Sequence, residues 1–287
     1  MAGEDDYGVP WPRRHALYFI DGLRRGPRLE HRAMTTNGRT PPIEAWQVES
    51  ARVTALPSEV VSIERLPWWD DVVGLPPEAV VSRPKIGQYQ AHGDFEGRRL
   101  ALQVQPGRID WSLSGVVKTA GEEFDLALLG PLPEVVASLL KVVIPWLPKA
   151  PAIARFAFGA TLLQPVEKVR DGYVRLQGYL PGFPIDPDKS SDFFYQINKP
   201  RPSAVGIEGL RMNRLMKWSV QVAQRMTVVV GPGGVETRTM GEEAACRLEL
   251  DINTAPGFAR PLPAEHLEAL LKEMIGLGFD IAKEGVR

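Results

Sequence analysis

The run Arg247-Leu-Glu-Leu-Asp-Ile-Asn253 alternates apolar and polar residues without a break. Successive side chains of a strand point to opposite faces, so a β-strand gathers Leu248, Leu250 and Ile252 on one side and Glu249, Asp251 and Asn253 on the other. Beyond it Pro261-Leu-Pro263 opens a segment in which Leu267, Leu270, Leu271, Met274, Ile275 and Ile281 fall at helical spacing. A strand with one apolar face and a helix with one apolar stripe bury each other. The chain therefore predicts an α+β protein, antiparallel sheets covered by amphipathic helices.

Other segments extend that sheet. Lys217–Val222 alternates, with Trp218, Val220 and Val222 on one face. Met226–Val230 and Val235–Thr239 flank Gly231-Pro-Gly-Gly234 and read as a hairpin. Upstream, Arg99–Gln105 places Leu100, Leu102 and Val104 together, and Ile109, Trp111 and Leu113 alternate after Pro106-Gly107. That dipeptide supplies the fixed φ and then the positive φ of a tight turn. Phe124–Leu129 reads as a further strand, and Val60-Val61 and Phe19-Ile20 as short ones. A helix is expected from Glu134, with Val135, Val136, Leu139, Leu140 and Val143 at helical spacing and Pro145 and Pro148 ending it. The 26 prolines and 27 glycines are spread along the chain, as punctuation between many short elements.

Two stretches share an order. Gly121-Glu-Glu precedes a strand and Pro131-Leu-Pro133 a helix; Gly241-Glu-Glu and Pro261-Leu-Pro263 do the same further on. An internal duplication of a β-β-β-α unit, ferredoxin-like or helix-on-sheet, accounts for this. The alternative is that turns and helix starts reuse the same residues. The organisation read from the pattern is an irregular, proline-rich N-terminal arm over residues 1–84 with short strands, a first α+β unit over 85–170, a Pro/Gly-rich connector over 171–214, and a second unit over 215–287.

Lys plus Arg (34) nearly balances Asp plus Glu (35), so no global field attracts nucleic acid or an anionic surface, and any such contact needs a local patch. One cysteine excludes an internal disulfide framework and multi-cysteine zinc sites. The histidines are scattered. The acidic start Glu4-Asp-Asp6 is no secretory n-region, and Val135–Leu147 is too short and interrupted to cross a bilayer, so a cytoplasmic protein without membrane contact is expected.

Candidate chemistry is sparse, and no cofactor is expected. Glu249 and Asp251, with Asn253 and with Asp110 from a neighbouring strand, carry the oxygen donors a hard cation takes; a solvated sheet face is the plainer reading. Gly231-Pro-Gly-Gly234 lacks the Lys-Ser/Thr and helix of a phosphate loop and reads as a turn. Cys246 reads as a buried apolar residue, His266 as a surface residue, and Trp46, Trp68 and Trp69 as core. Arg13, Arg14, Arg24 and Arg25, interleaved with Trp11, His15, Tyr18 and Phe19, form a basic, aromatic stretch. Arg211, Arg214 and Lys217 form a second basic cluster. Both suit solvated surface, a protein interface or a nucleic-acid contact.

The segments Arg211-Met-Asn-Arg-Leu-Met-Lys-Trp218, Arg247–Thr254 and Pro261-Leu-Pro263 through Lys283-Glu-Gly285 resemble an uncharacterised, sporadically distributed bacterial family of about this length. That resemblance covers mainly residues 210–287, and its sporadic distribution implies carriage on mobile or defence loci, anti-phage or CRISPR-associated. The expected function is a non-catalytic binding or assembly subunit with a protein partner. The rivals are an RNA-binding or RNA-processing protein of duplicated ferredoxin-like units, and a small-ligand-binding protein or enzyme with its site between sheet and helix.

Overall fold

The computed structural model describes residues 41–64, 66–115, 127–231, 234–258 and 260–286, and of residues 224–241 the backbone alone. The elements run β1 (Gln47–Pro57), α1 (Trp68–Val73), β2 (Ala79–Arg83), β3 (Gln88–Phe95), β4 (Arg98–Gln105), β5 (Arg108–Ser114), α2 (Leu132–Trp146), β6 (Ile153–Val166), α3 (Val169–Tyr179), β7 (Phe194–Asn198), β8 (Arg201–Pro202), β9 (Arg211–Gly231), β10 (Gly234–Thr254) and α4 (Leu267–Glu284). The strands form one antiparallel sheet in the order β2-β3-β4-β5-β1-β6-β10-β9-β7, with β8 continuing the β7 edge along β9.

All four helices lie against the same face of that sheet. Trp111 on β5 meets Trp146 of α2 and Trp69 of α1 through their rings. A Cβ on Gly172 of α3 would lie 2.9 Å from Val220 of β9, and one on Gly278 of α4 would lie 3.3 Å from Leu250 of β10. Register joins these residues into one layer: Val53 stands opposite both Trp111 and Phe158, Phe158 opposite Ile252, and Leu250 opposite Met216. In this layer Leu248, Leu250, Ile252 and the helical stripe from Leu267 to Ile281 are buried, as the spacing predicts. Trp46, Trp218 and Tyr179 add an aromatic cluster, Tyr179 stacking on Trp218 at 4.9 Å between centroids and the Trp46 indole donating to the Ala282 carbonyl at 2.8 Å.

Several expectations change. Within the stretch read as an irregular arm, β1 is a long strand at the centre of the sheet, paired with β5 on one side and β6 on the other. Its alternation is masked by a register shift between Val48 and Ser50 and by the small residues Ala51 and Ala55. Val60-Val61 is not a strand, because Pro57 has already ended β1. Ala127–Leu129 is irregular, although Leu129 donates its N–H to Val48; residues 124–126, Phe19-Ile20 and Gly121-Glu-Glu lie outside the described residues. Helix α2 begins at Leu132 and holds Pro145 in its last turn, and Leu140 is half-buried rather than core. The stretch read as a connector holds most of α3, then β7, β8 and the start of β9.

The hairpin around Pro106-Gly107 forms as expected, with Gly107 at φ +75°. The β9–β10 hairpin is longer than the sequence suggests. Strand β10 pairs with β6 only from Ala244 onward, and β7 pairs with β9 only over residues 215–219. Beyond that, the two strands pair with each other as far as Gly231 and Gly234. At ~3.4 Å per residue they form an arm roughly 25 Å long.

Candidate interaction surface

The face of the sheet away from the helices is built by the alternate residues of the same strands. Ser50, Arg52 and Thr54 of β1 stand opposite Ser114, Ser112 and Asp110 of β5, and opposite Thr161, Gly159 and Ala157 of β6. Glu249, Asp251 and Asn253 continue these rows on β10, then Lys217, Leu215 and Asn213 on β9. Small residues at the middle, Ala157 and Gly159, leave room for long side chains to lie flat: the Arg52 Nε is 3.1 Å from where a Cβ on Gly159 would be.

The ionic groups of this face are matched to one another. Arg108 donates from two nitrogens to Asp110, at 2.6 and 2.9 Å, and Thr54 donates to the same carboxylate at 2.5 Å. That hydrogen bonding raises the Arg108 pKa, so its charge is fixed. Glu249 lies 2.9 Å from Arg247 and 3.5 Å from Lys217, and Arg247 also reaches Glu49 at 3.7 Å. Asn253 donates to Asp251 at 2.9 Å and accepts from Asn213 and Arg155, while Asn198 donates to Asn213. The result is a polar lattice that crosses β5, β1, β6, β10 and β9.

Glu249 and Asp251 do share a face, as alternation requires, but their oxygens are occupied by Arg, Lys and Asn donors. Among the described residues no group of three or more His, Cys, Asp or Glu side chains is placed to hold a metal ion. The Arg211, Arg214 and Lys217 cluster divides. Arg211 and Lys217 belong to the uncovered face, whereas Arg214, at even spacing with Met212 and Met216, turns to the helix side and donates to the Lys199 carbonyl at 2.9 Å. A three-residue spacing gathers side chains on a helix and separates them on a strand. Arg13, Arg14, Arg24 and Arg25 lie outside the described residues.

The single cysteine, Cys246, and the Tyr179 phenol are enclosed. Cys246 is wholly buried beside Gln164 on β6, and burial pushes its thiol pKa up to about 12. Burial likewise pushes Tyr179 up to about 12, against the hydrogen bond from Gln164. A thiol held neutral this way is a poor nucleophile. Two hollows open on the surface: one of about 240 Å³ beside β2, β3 and β4, and one of about 460 Å³ over the loop 202–211. Both are shallow, unlike the deep apolar cavities that take small ligands.

Sequence reading found Asn253 but missed Arg52, Arg155, Asn198 and Asn213, whose only signal is their place on neighbouring strands beside Glu249, Asp251 and Asn253. Comparison with protein-family models, curated proteins and solved structures finds no match.

Proposed function

We propose that this chain is a non-catalytic binding or assembly subunit whose partner is a protein. The observation that supports it most is the one-sided sheet: the helices cover one face, and the other, a charged and amide-bearing surface, is left uncovered by them. The β9–β10 arm adds a second projecting feature. The burial of Cys246 and the shallowness of the hollows beside β2–β4 and over the loop 202–211 fit a binding role better than thiol catalysis or small-ligand capture.

A protein fits this face better than RNA. Arg108, Arg247 and Lys217 are already engaged by the carboxylates of Asp110 and Glu249, which leaves them less free to take up phosphates. Sheet surfaces that read single-stranded RNA stack bases on exposed aromatics; among the described residues Phe194, at the β7 edge, is the exposed aromatic in the set of large apolar side chains. The resemblance noted above implies that the assembly belongs to a mobile or defence locus.

The same reading takes the molecule as two copies of one unit, β1-α1-β3-β4-β5-α2 and β6-α3-β7-β9-β10-α4. Each copy lays its first strand beside its last, and the two first strands meet at the centre of the sheet. In each, the last strand carries an Arg-x-acid pair on the uncovered face, Arg108 with Asp110 and Arg247 with Glu249. This order differs from the β-α-β-β-α-β of ferredoxin-like units, and its boundaries differ from those read off the sequence.

Tagged protein isolated from the organism that makes it tests the proposal. A second polypeptide in fixed stoichiometry is expected, and it is lost when residues 225–240 are replaced by an Asn-Gly turn. A chain that elutes alone as a monomer contradicts the reading.

A further inference from the structure

The two ends of the sheet are unequal, and one of them is open in a particular way. Among the described residues strand β2 is terminal, paired with β3 on one side alone. An edge strand leaves a row of backbone N–H and C=O groups free, and proteins ordinarily blunt it with inward charges, bulges or a cover. Here Val80 and Val81 are exposed at 51% and 45%, and Ile86, just beyond the strand, at 53%. Arg83 and Lys85 are exposed beside them, with no carboxylate partner among the described residues. On the uncovered face Val81 and Arg83 border the hollow of about 240 Å³, which Gln88, Gln90 and Gln103 also line.

We propose that β2 is a strand-addition site for an extended, acidic segment of the partner protein. The segment pairs its backbone with β2, lays its apolar side chains beside Val80 on the helix side of the sheet, and turns the alternate side chains to the uncovered face beside Val81 and Arg83. It sets a carboxylate over the hollow, where Arg83 and the glutamine amides receive it. Charge selects this occupant: beyond Glu78, which already accepts from the Asp94 N–H, the edge carries Arg83 on the uncovered face and Lys85 just past the strand, neither with a carboxylate partner among the described residues. Area argues against a second copy. A five-residue edge, ended by Pro84 and preceded by Pro76-Pro77, runs only ~17 Å, and two such edges bury far less than the roughly 1,200 Å² a stable dimer needs.

This site rests on the assembly reading but fails separately from it: a complex that forms without β2 sinks the site and leaves the reading standing. The probe is a capped hexapeptide of alternating valine and glutamate, with a valine–lysine peptide as its counterpart, titrated into the full chain while backbone amide NMR signals are followed. The glutamate peptide is expected to shift the amides of residues 79–83 and to bind at least fivefold more tightly than the lysine peptide, with the difference shrinking at high salt. Arg83→Glu, an exposed substitution, reverses the preference, and Val81→Pro abolishes binding. No shift at millimolar peptide, equal response to both peptides, shifts at residues 194–198 instead, or a concentration-dependent dimer overturns the proposal.

Discussion

The two faces of strand β10 carry the same backbone and opposite chemistry. Leu248, Leu250 and Ile252 are shut between sheet and helices, while Glu249, Asp251 and Asn253 lie half-buried in a lattice of ion pairs and amides on the other face. The first face derives its stability from apolar area, at ~25 cal/mol per Å² removed from water. The second contributes little, because exposed ion pairs are screened and typically yield ~0–1 kcal/mol each. On the proposed reading that second face serves recognition. Substitutions on the two faces should therefore separate stability from binding.

The largest effect belongs to the buried layer. Trp218→Ala removes a side chain that packs on Tyr179 and Trp46, and it should lower unfolding free energy by about 3–5 kcal/mol in a urea titration. A cost below ~1 kcal/mol would show that this aromatic cluster is not core.

Helix α3 carries the comparison within one element. Alanine normally stabilises an exposed helix position by ~1 kcal/mol over glycine. Gly178→Ala, with nothing within 4 Å of the new methyl, should do so. Gly172→Ala drives its methyl against Val220 at 2.9 Å and should instead destabilise by ~1–3 kcal/mol. Thermal denaturation of both variants checks the opposite signs; equal signs would mean that α3 does not sit tightly on β9.

On the open face, Glu249→Gln and Lys217→Ala should each shift stability by less than ~1 kcal/mol, and by less still in 1 M salt. The same variants should weaken the complex isolated from the native host. Intact binding by both would move the interface off this part of the sheet.

The smallest effect is one of pH. Hydrogen bonds from Lys141 and Ser138 hold the Glu96 carboxylate below its usual pKa, tying the β3–β4 turn to α2. A depressed native pKa adds stability above the unfolded value of ~4.3, and that stability drains away as pH falls through the native value. Glu96→Gln should flatten this part of the acid-unfolding curve; because Glu96 is partly exposed the change is slight. An unchanged acid limb would show that the contact is not formed in solution.

Legibility followed exposure. Strands with one wet face announce themselves, as in Arg99–Gln105, Ile109–Leu113 and Arg247–Asn253. Strands at the middle do not: β6 reads Phe156-Ala-Phe-Gly-Ala160, where small residues on the open face erase the contrast with the core face. A bulge at Glu49 does the same to β1. The tryptophans were readable as core because nothing else absorbs so much apolar area. The site was only half readable, since Glu249 and Asp251 declare their face but the Arg52, Arg108 and Arg155 that surround them come from strands far apart in the chain.

The most direct test compares Lys217→Glu/Arg247→Glu with Trp218→Ala in protein isolated from its own host, by native mass spectrometry alongside unfolding curves. The double charge reversal is expected to stay folded, to cost less unfolding free energy than Trp218→Ala even though it sets like charges around Glu249, and to lose the partner polypeptide. Retention of a full complex by that folded variant, or a wild-type chain found alone, would contradict the account.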